Sequence, residues 1–201
     1  METVTQSRRS HPGGGRGARQ RILHAAAELF YRHGIHATGV AALVDAAHVS
    51  TRTFYQHFPT KNALVEAYLH GFEADTPIAS EQQLGRDDLT ASERLLAIFD
   101  PLESDDATVL RGCPFHNAAV DAAGEMPHVA QLVKQHKQAF LDRLISTAAE
   151  AGAPDPISLG RQLAVVYEGA AALSASSNTT RVVPDARRAA ETLIQVALNR
   201  R

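Results

Sequence analysis

The chain has 201 residues, enough for one sizeable core or for a small domain beside a larger one. Hydrophobic residues make up 44%, charged residues 21% and aromatics only 5%, with no Trp, a balance that suits a helical globular protein better than a disordered or aromatic-rich β one. No apolar run approaches the roughly 18 to 20 residues that a membrane span needs, so no membrane partner is expected.

The opening METVTQSRRSHPGGGRGARQ has no apolar stretch behind its basic residues, so it does not read as a secretory leader, and the expected compartment is the cytoplasm. A lone Cys113 permits neither an internal disulfide nor a cysteine cage for a metal. The net charge of -2 conceals an asymmetry. Residues 1–61 hold eight Lys/Arg against three acids, a net of +5, and the remainder holds 12 against 19, a net of -7. A basic end on an acidic body points to a polyanion partner for the first third. A solvated basic tail would give the same count.

Residues 1–17 are polar and rich in Gly and Arg, and read as a disordered basic arm. Arg8, Arg9, Arg16 and Arg19 either follow a phosphate backbone or enter a minor groove as an arm, or else belong to an inert leader. From Ala18 to His33, Ile22, Leu23, Ala26, Leu29 and Phe30 recur at helical spacing, and Gly34 stands where helices end. Thr38 reads as the N-cap of a second helix, Gly39 to Ala47, and Ser50 as that of a third, Thr51 to His57. Pro59 breaks the chain, and Thr60 caps a fourth helix that reaches about Ala74.

Residues 75–89 read as loop. A fifth helix is expected over Thr90 to Glu103, with its last turn weakened by Pro101. A sixth is expected over Pro114 to Ala123, and a seventh from Pro127 to about Ala151. The eighth covers about Ser158 to Ser176 and the ninth Asp185 to Asn199. No strand pattern and no fixed repeat appears. The expected fold is therefore all-α with about nine helices.

Residues 37–61, ATGVAALVDAAHVSTRTFYQHFPTK, fit a helix-turn-helix. Val40, Leu43, Val44, Ala47, Val49 and Phe54 form an inward apolar set. Thr51, Arg52, Tyr55, Gln56 and His57 form an outward polar one. No carboxylate occurs from Ala46 through Asn62, as a face meeting phosphate requires. Any small helical hairpin could share the pattern.

RILHAAAELFYRHGIHATGV and VSTRTFYQHFPTKNALVEAYL resemble the N-terminal domain of the tetracycline-repressor (TetR/AcrR) family of bacterial regulators, over about Arg21 to Leu69. The resemblance implies an N-terminal three-helix helix-turn-helix domain (18–59) and a C-terminal helical ligand-binding and dimerisation domain (60–201). It implies that Thr51, Arg52 and Gln56 meet bases, Arg52 being suited to guanine. Tyr55, His57 and Lys61 would hold phosphates, and Thr38 would add a hydroxyl at a helix N-terminus. Ser50 and Thr53 complete the DNA-binding set. Two positions depart from the family pattern: His48 stands at the turn where glycine is usual, and Arg52 where a small residue is common.

RGCPFHNAAVDAA resembles a segment that lies over the effector cavity in one branch of the family, and YEGAAALSA resembles that branch's eighth helix. Candidates for the effector pocket are Cys113, Phe115, His116, Asn117, Val120, Phe140, Tyr167 and Ala171. A homodimer would form through the eighth and ninth helices. Gly169, Ala170, Ala171 and Ala172 would allow close approach, and Leu193, Ile194, Ala197 and Leu198 would contribute. The same residues could fill the monomer's own core.

His116, Asp121, His128 and His136 match no compact ligand spacing, so no metal and no other cofactor is expected. Cys113 and His116 could share a helix face, yet nothing near them resembles an acyl or redox site, so no catalytic residue is expected. The expected function is a transcriptional repressor, released from a palindromic DNA operator by a small-molecule effector. An activator or an effector-independent regulator is the nearest alternative. An all-α carrier or enzyme is a further one.

Overall fold

The computed structural model describes residues 16–74, 78–103, 112–121 and 126–199. The expected basic arm lies outside the described residues except for Arg16 and Gly17, which open the first helix. Ten α-helices and no strand occur among the described residues. They are α1 (Arg16–His33), α2 (Val40–Ala46), α3 (Thr51–His57), α4 (Lys61–Ala74), α5 (Ala79–Gln82), α6 (Ala91–Ala97), α7 (Pro114–Asp121), α8 (Pro127–Glu150), α9 (Pro156–Ser177) and α10 (Val183–Asn199).

Local chemistry explains most boundaries. The Ser50 side chain accepts from the Thr53 amide at 3.0 Å and starts α3. Thr60 Oγ1 accepts from the Ala63 amide at 3.0 Å at the start of α4. Thr90 and Glu93 form a reciprocal capping box on α6. Pro127 and Pro156 each open a helix, where the missing amide costs nothing.

Four expectations shift. The expected loop at 75–89 contains α5 and a 3-10 turn, Gln83–Gly85, so the expected eighth and ninth helices are α9 and α10. The expected helix over 90–103 ends at Ala97, and Asp100–Glu103 continues as a 3-10 turn around Pro101. α9 begins at Pro156 rather than after it, because Asp155 accepts from the Ser158 amide and Pro156 needs no partner for an N–H. Thr38 does not cap α2: Gly39 is the N-cap, without a side-chain bond.

The apolar residues gather in two clusters. The first joins α1–α4 through Ile22, Phe30, Leu43, Phe54, Phe58, Leu64 and Leu69, and extends to Phe115 and Ala118 of α7 and to Val129 and Val133 of α8. The second joins Leu95 of α6, Phe140 and Leu144 of α8, Leu163 and Tyr167 of α9, and Ile194 of α10. α8 belongs to both. At 24 residues it is about 36 Å long, the common wall of the molecule. It crosses α9 closely at Gly160, where a Cβ would lie 2.6 Å from the Ile145 side chain and 3.0 Å from its backbone nitrogen. Ile194, expected at a dimer contact, is buried in the second cluster instead.

Candidate nucleic-acid interface and regulatory cluster

The angle between α2 and α3 is set by a complete αL helix ending. His48 takes φ 49°. Its amide donates to the Asp45 carbonyl at 3.0 Å, and the Val49 amide donates to the Val44 carbonyl at 3.1 Å. Val44 and Val49 both pack on the first apolar cluster, as the hydrophobic partners of such an ending should. Arg21 Nε then donates to the Ala47 carbonyl at 3.0 Å, which ties α1 to the same turn. The departure from glycine at His48 therefore leaves the turn intact, at the cost of left-handed strain. His48→Gly is expected to stabilise the protein by about 1 kcal/mol, raising Tm by about 2–4 °C. A thermal melt with an unchanged or lower midpoint would contradict this.

α3 is amphipathic in the sense expected. Phe54 is fully buried, with its ring edge-to-face against Tyr55 at 5.3 Å and tilted against Phe58 at 6.3 Å. Thr51, Arg52, Tyr55 and Gln56 are exposed, and at helical spacing they cover an arc of about 140°. Tyr55 is 47% exposed, so its hydroxyl lies outward while its ring rests on Phe54. His57 is half-buried. Thr53 Oγ1 and Ser50 Oγ lie 2.8 Å apart in mutual contact. Those two hydroxyls thus serve the cap.

Two positions beside α3 behave differently from each other. Thr38 is 3% exposed, and its hydroxyl donates to the Gly34 carbonyl at 2.7 Å and the Leu29 carbonyl at 3.3 Å. The hydroxyl expected for phosphate is therefore turned inward, where it locks the loop between α1 and α2. Lys61 opens α4, and its Nζ donates to the His36 carbonyl at 3.4 Å. Partial burial pulls the pKa of this ammonium below its ordinary value, and Asp121 attracts it in the opposite direction. The guanidinium of Arg19 on α1 lies over the Phe58 ring, 5.4 Å from its centroid.

The effector candidates divide into two sets. Cys113, Phe115, Phe140, Tyr167 and Ala171 are buried. His116, Asn117 and Val120 instead line an outer cleft of about 340 Å³, formed with Tyr31 and Gly34 of the DNA-binding head and Ala172 and Ser176 of α9. Val120 is 65% exposed, so it is not an interior pocket residue. α7 presents alternating sides to core and solvent, and Val120 lies on the outer one.

Around the buried set lies a polar layer that spacing alone does not reveal. Phe115 stacks parallel on His136, with centroids 3.5 Å apart. His136 Nε2 lies 2.9 Å from Glu81 Oε1, an ion-pair distance when the ring is protonated, without the alignment of a hydrogen bond. Burial pushes the Tyr167 hydroxyl above its ordinary pKa, with Ser80 pulling the other way. Lys137 Nζ donates to Cys113 Sγ at 3.5 Å and pairs closely with Glu168, which His116 Nδ1 approaches at 4.0 Å. Burial pushes the Cys113 thiol above its ordinary pKa, with Lys137 pulling the other way. Burial also works against the charge on Lys137, but the Cys113 sulfur and the Glu168 carboxylate outweigh it and hold that pKa above its ordinary value. Of the four residues tested against a metal spacing, His136 sits in this layer, His116 at its edge, Asp121 at the end of α7 and His128 exposed at the start of α8. Among the described residues, no group of three His, Cys, Asp or Glu is placed to hold a metal ion.

Sequence reasoning missed Arg21, Ser80, Glu81, Lys137 and Glu168. Ser80 and Glu81 lie in the stretch expected as loop, and a Lys and a Glu 31 positions apart carry no local signal of pairing.

Residues 22–68 match the profile of bacterial regulatory proteins of the tetR family. Over 62 residues the chain is 39% identical to the transcriptional repressor KstR2 of Rhodococcus jostii, a stretch covering 31% of this chain and 30% of that protein. The likeness to that curated relative thus spans under a third of its length. A transcriptional regulator of the same family from Streptomyces avermitilis is 32% identical, with TM-score 0.76 over 90% of this chain and 97% of that one. A third, from Streptomyces coelicolor, is 27% identical with TM-score 0.80, covering 92% and 98%.

Proposed function

The chain belongs to the TetR family of bacterial regulators, and from that premise we propose that it is a DNA-binding transcriptional repressor released by a small-molecule effector. The observation that carries this reading is the outward face of α3. Thr51, Arg52, Tyr55 and Gln56 stand exposed on one side, free of carboxylates, over a buried Phe54 that fixes the helix on its support. Such a helix presents donors, acceptors and a cation to the edges of bases in a major groove. Thr51, Arg52 and Gln56 are the base readers. Tyr55, His57 and Lys61 are the positioning contacts, and Ser50 and Thr53 shape the helix start. The repressor among the relatives supports the direction of control.

Residues 18–59 act as the reading head and residues 60–201 as the regulatory and dimerisation part. Val165 (73% exposed) and Leu173 (57%) leave an apolar stripe on α9, and Val196 (48%) is exposed on α10. A second copy packed there by two-fold symmetry covers the stripe and sets two α3 helices about 34–36 Å apart, one turn of DNA. The polar layer around Phe115, His136, Tyr167 and Lys137 is where an effector acts.

The test is footprinting on the DNA upstream of the gene, followed by a salt titration. A two-fold-symmetric footprint is expected, with affinity falling steeply and log-linearly as salt rises. A single half-site or no protection at all would sink the reading, and so would binding that ignores salt.

A further inference from the structure

We propose that Asp121 is the latch through which α7 sets the position of the DNA-binding head. The inference concerns how the regulator proposed above is switched, and it rests on that reading for its biological meaning. Asp121 Oδ2 accepts a hydrogen bond from the Ile35 amide at 2.6 Å, joining residues 86 positions apart. The bond runs from the last described residue of α7 to the turn that follows α1. Gly34 makes the approach possible: it takes φ 87°, and a Cβ there would lie 3.0 Å from Asp121 Oδ2.

The turn that Asp121 grips moves as part of the head. The Gly34 amide donates to the Phe30 carbonyl at 3.0 Å. Thr38 Oγ1 donates to the Gly34 carbonyl at 2.7 Å, and Lys61 Nζ to the His36 carbonyl at 3.4 Å. The ends of α1 and α7 and the start of α4 thus meet on residues 34–38. Asp121 also attracts Lys61.

The Asp121 carboxylate reaches across from α7 to the Ile35 amide. At its other end α7 is held in the regulatory cluster, with Phe115 stacked on His136 and His116 facing Glu168. A helix of eight residues, about 12 Å long, links the two. A shift of α7 in that cluster reaches the turn of the head through this short, charged hydrogen bond, beside the apolar packing of Phe115 and Ala118 on the first cluster.

Pulsed electron paramagnetic resonance on the full chain tests the latch. Nitroxides are placed on the head at Glu28→Cys and on the body at Ala139→Cys, in a Cys113→Ala background, and the labelled chain is diluted with unlabelled protein. The parent is expected to give one narrow head-to-body distance. Asp121→Ala is expected to lose it to a broad distribution with helix content unchanged. Asp121→Asn, whose amide oxygen still accepts from Ile35, is expected to restore the narrow distance. A narrow parent-like distance in the alanine variant overturns the proposal, as does a broad distribution in the asparagine variant. Should the alanine variant fail to fold, Asp121→Ser replaces it under the same criteria. Because neither DNA nor a partner subunit enters the measurement, the latch can fail while the DNA-binding reading stands, and the reverse.

Discussion

Arg52→Ala is expected to weaken binding to the footprinted upstream DNA by about 5- to 150-fold, the equivalent of about 1–3 kcal/mol for one good bidentate base contact. Arg52 is exposed at the start of α3, with no partner for its guanidinium among the described residues. Fluorescence anisotropy on the operator fragment and on an unrelated fragment separates two roles. A base reader loses operator affinity and leaves non-specific affinity nearly unchanged. A phosphate contact weakens both alike and lowers the salt slope by about one. Arg52→Lys sharpens the distinction, because it keeps the charge but lacks the planar fork that matches guanine. Equal operator affinity in the alanine variant and the parent would remove Arg52 from the interface. The departure from the small residue usual here would then say nothing about the operator.

The head was legible because its signals are local. Ser50 caps α3 three residues before its partner amide, and Phe54 and Phe58 anchor the helix at near neighbours. His48 declared its own strain by standing where a left-handed residue is needed. Thr38 misled because a threonine just before an apolar run fits an N-cap, while nothing in the sequence says that Gly34 and Leu29 carbonyls wait above it. The regulatory part was less legible for the same physical reason. The Lys137–Glu168 pair, the Phe115–His136 stack and the Asp121–Ile35 bond form between segments that meet only in the fold. Residue type singled out Cys113, Phe115 and His116, but could not tell that Val120 faces solvent and Phe140 the second core. Periodicity gives the buried side of α8, and α8 faces two different cores along that one side.

Phe54→Ala is expected to abolish DNA binding through the fold of the head rather than through any lost contact to DNA. Phe54 is fully buried and sits against both Tyr55 and Phe58. Truncating such a ring costs about 3–5 kcal/mol, including the cavity left behind. α3 has seven residues, too short to persist in water without its packed face. The cost is a large part of the roughly 5–15 kcal/mol that holds a typical domain together. A thermal melt should therefore show a transition lowered by about 6–20 °C. Hydrogen exchange should locate it in α1–α3, while the second apolar cluster of α8, α9 and α10 keeps its protection. Tyr55→Phe is the control. It keeps the ring on Phe54 and removes only the outward hydroxyl, so DNA affinity falls without a change in the melt. If Phe54→Ala binds the operator as tightly as the parent, α3 does not depend on this core and another element must read the DNA. If Tyr55→Phe lowers the melt as far as Phe54→Ala does, the Tyr55 hydroxyl serves the fold and leaves the set of phosphate contacts.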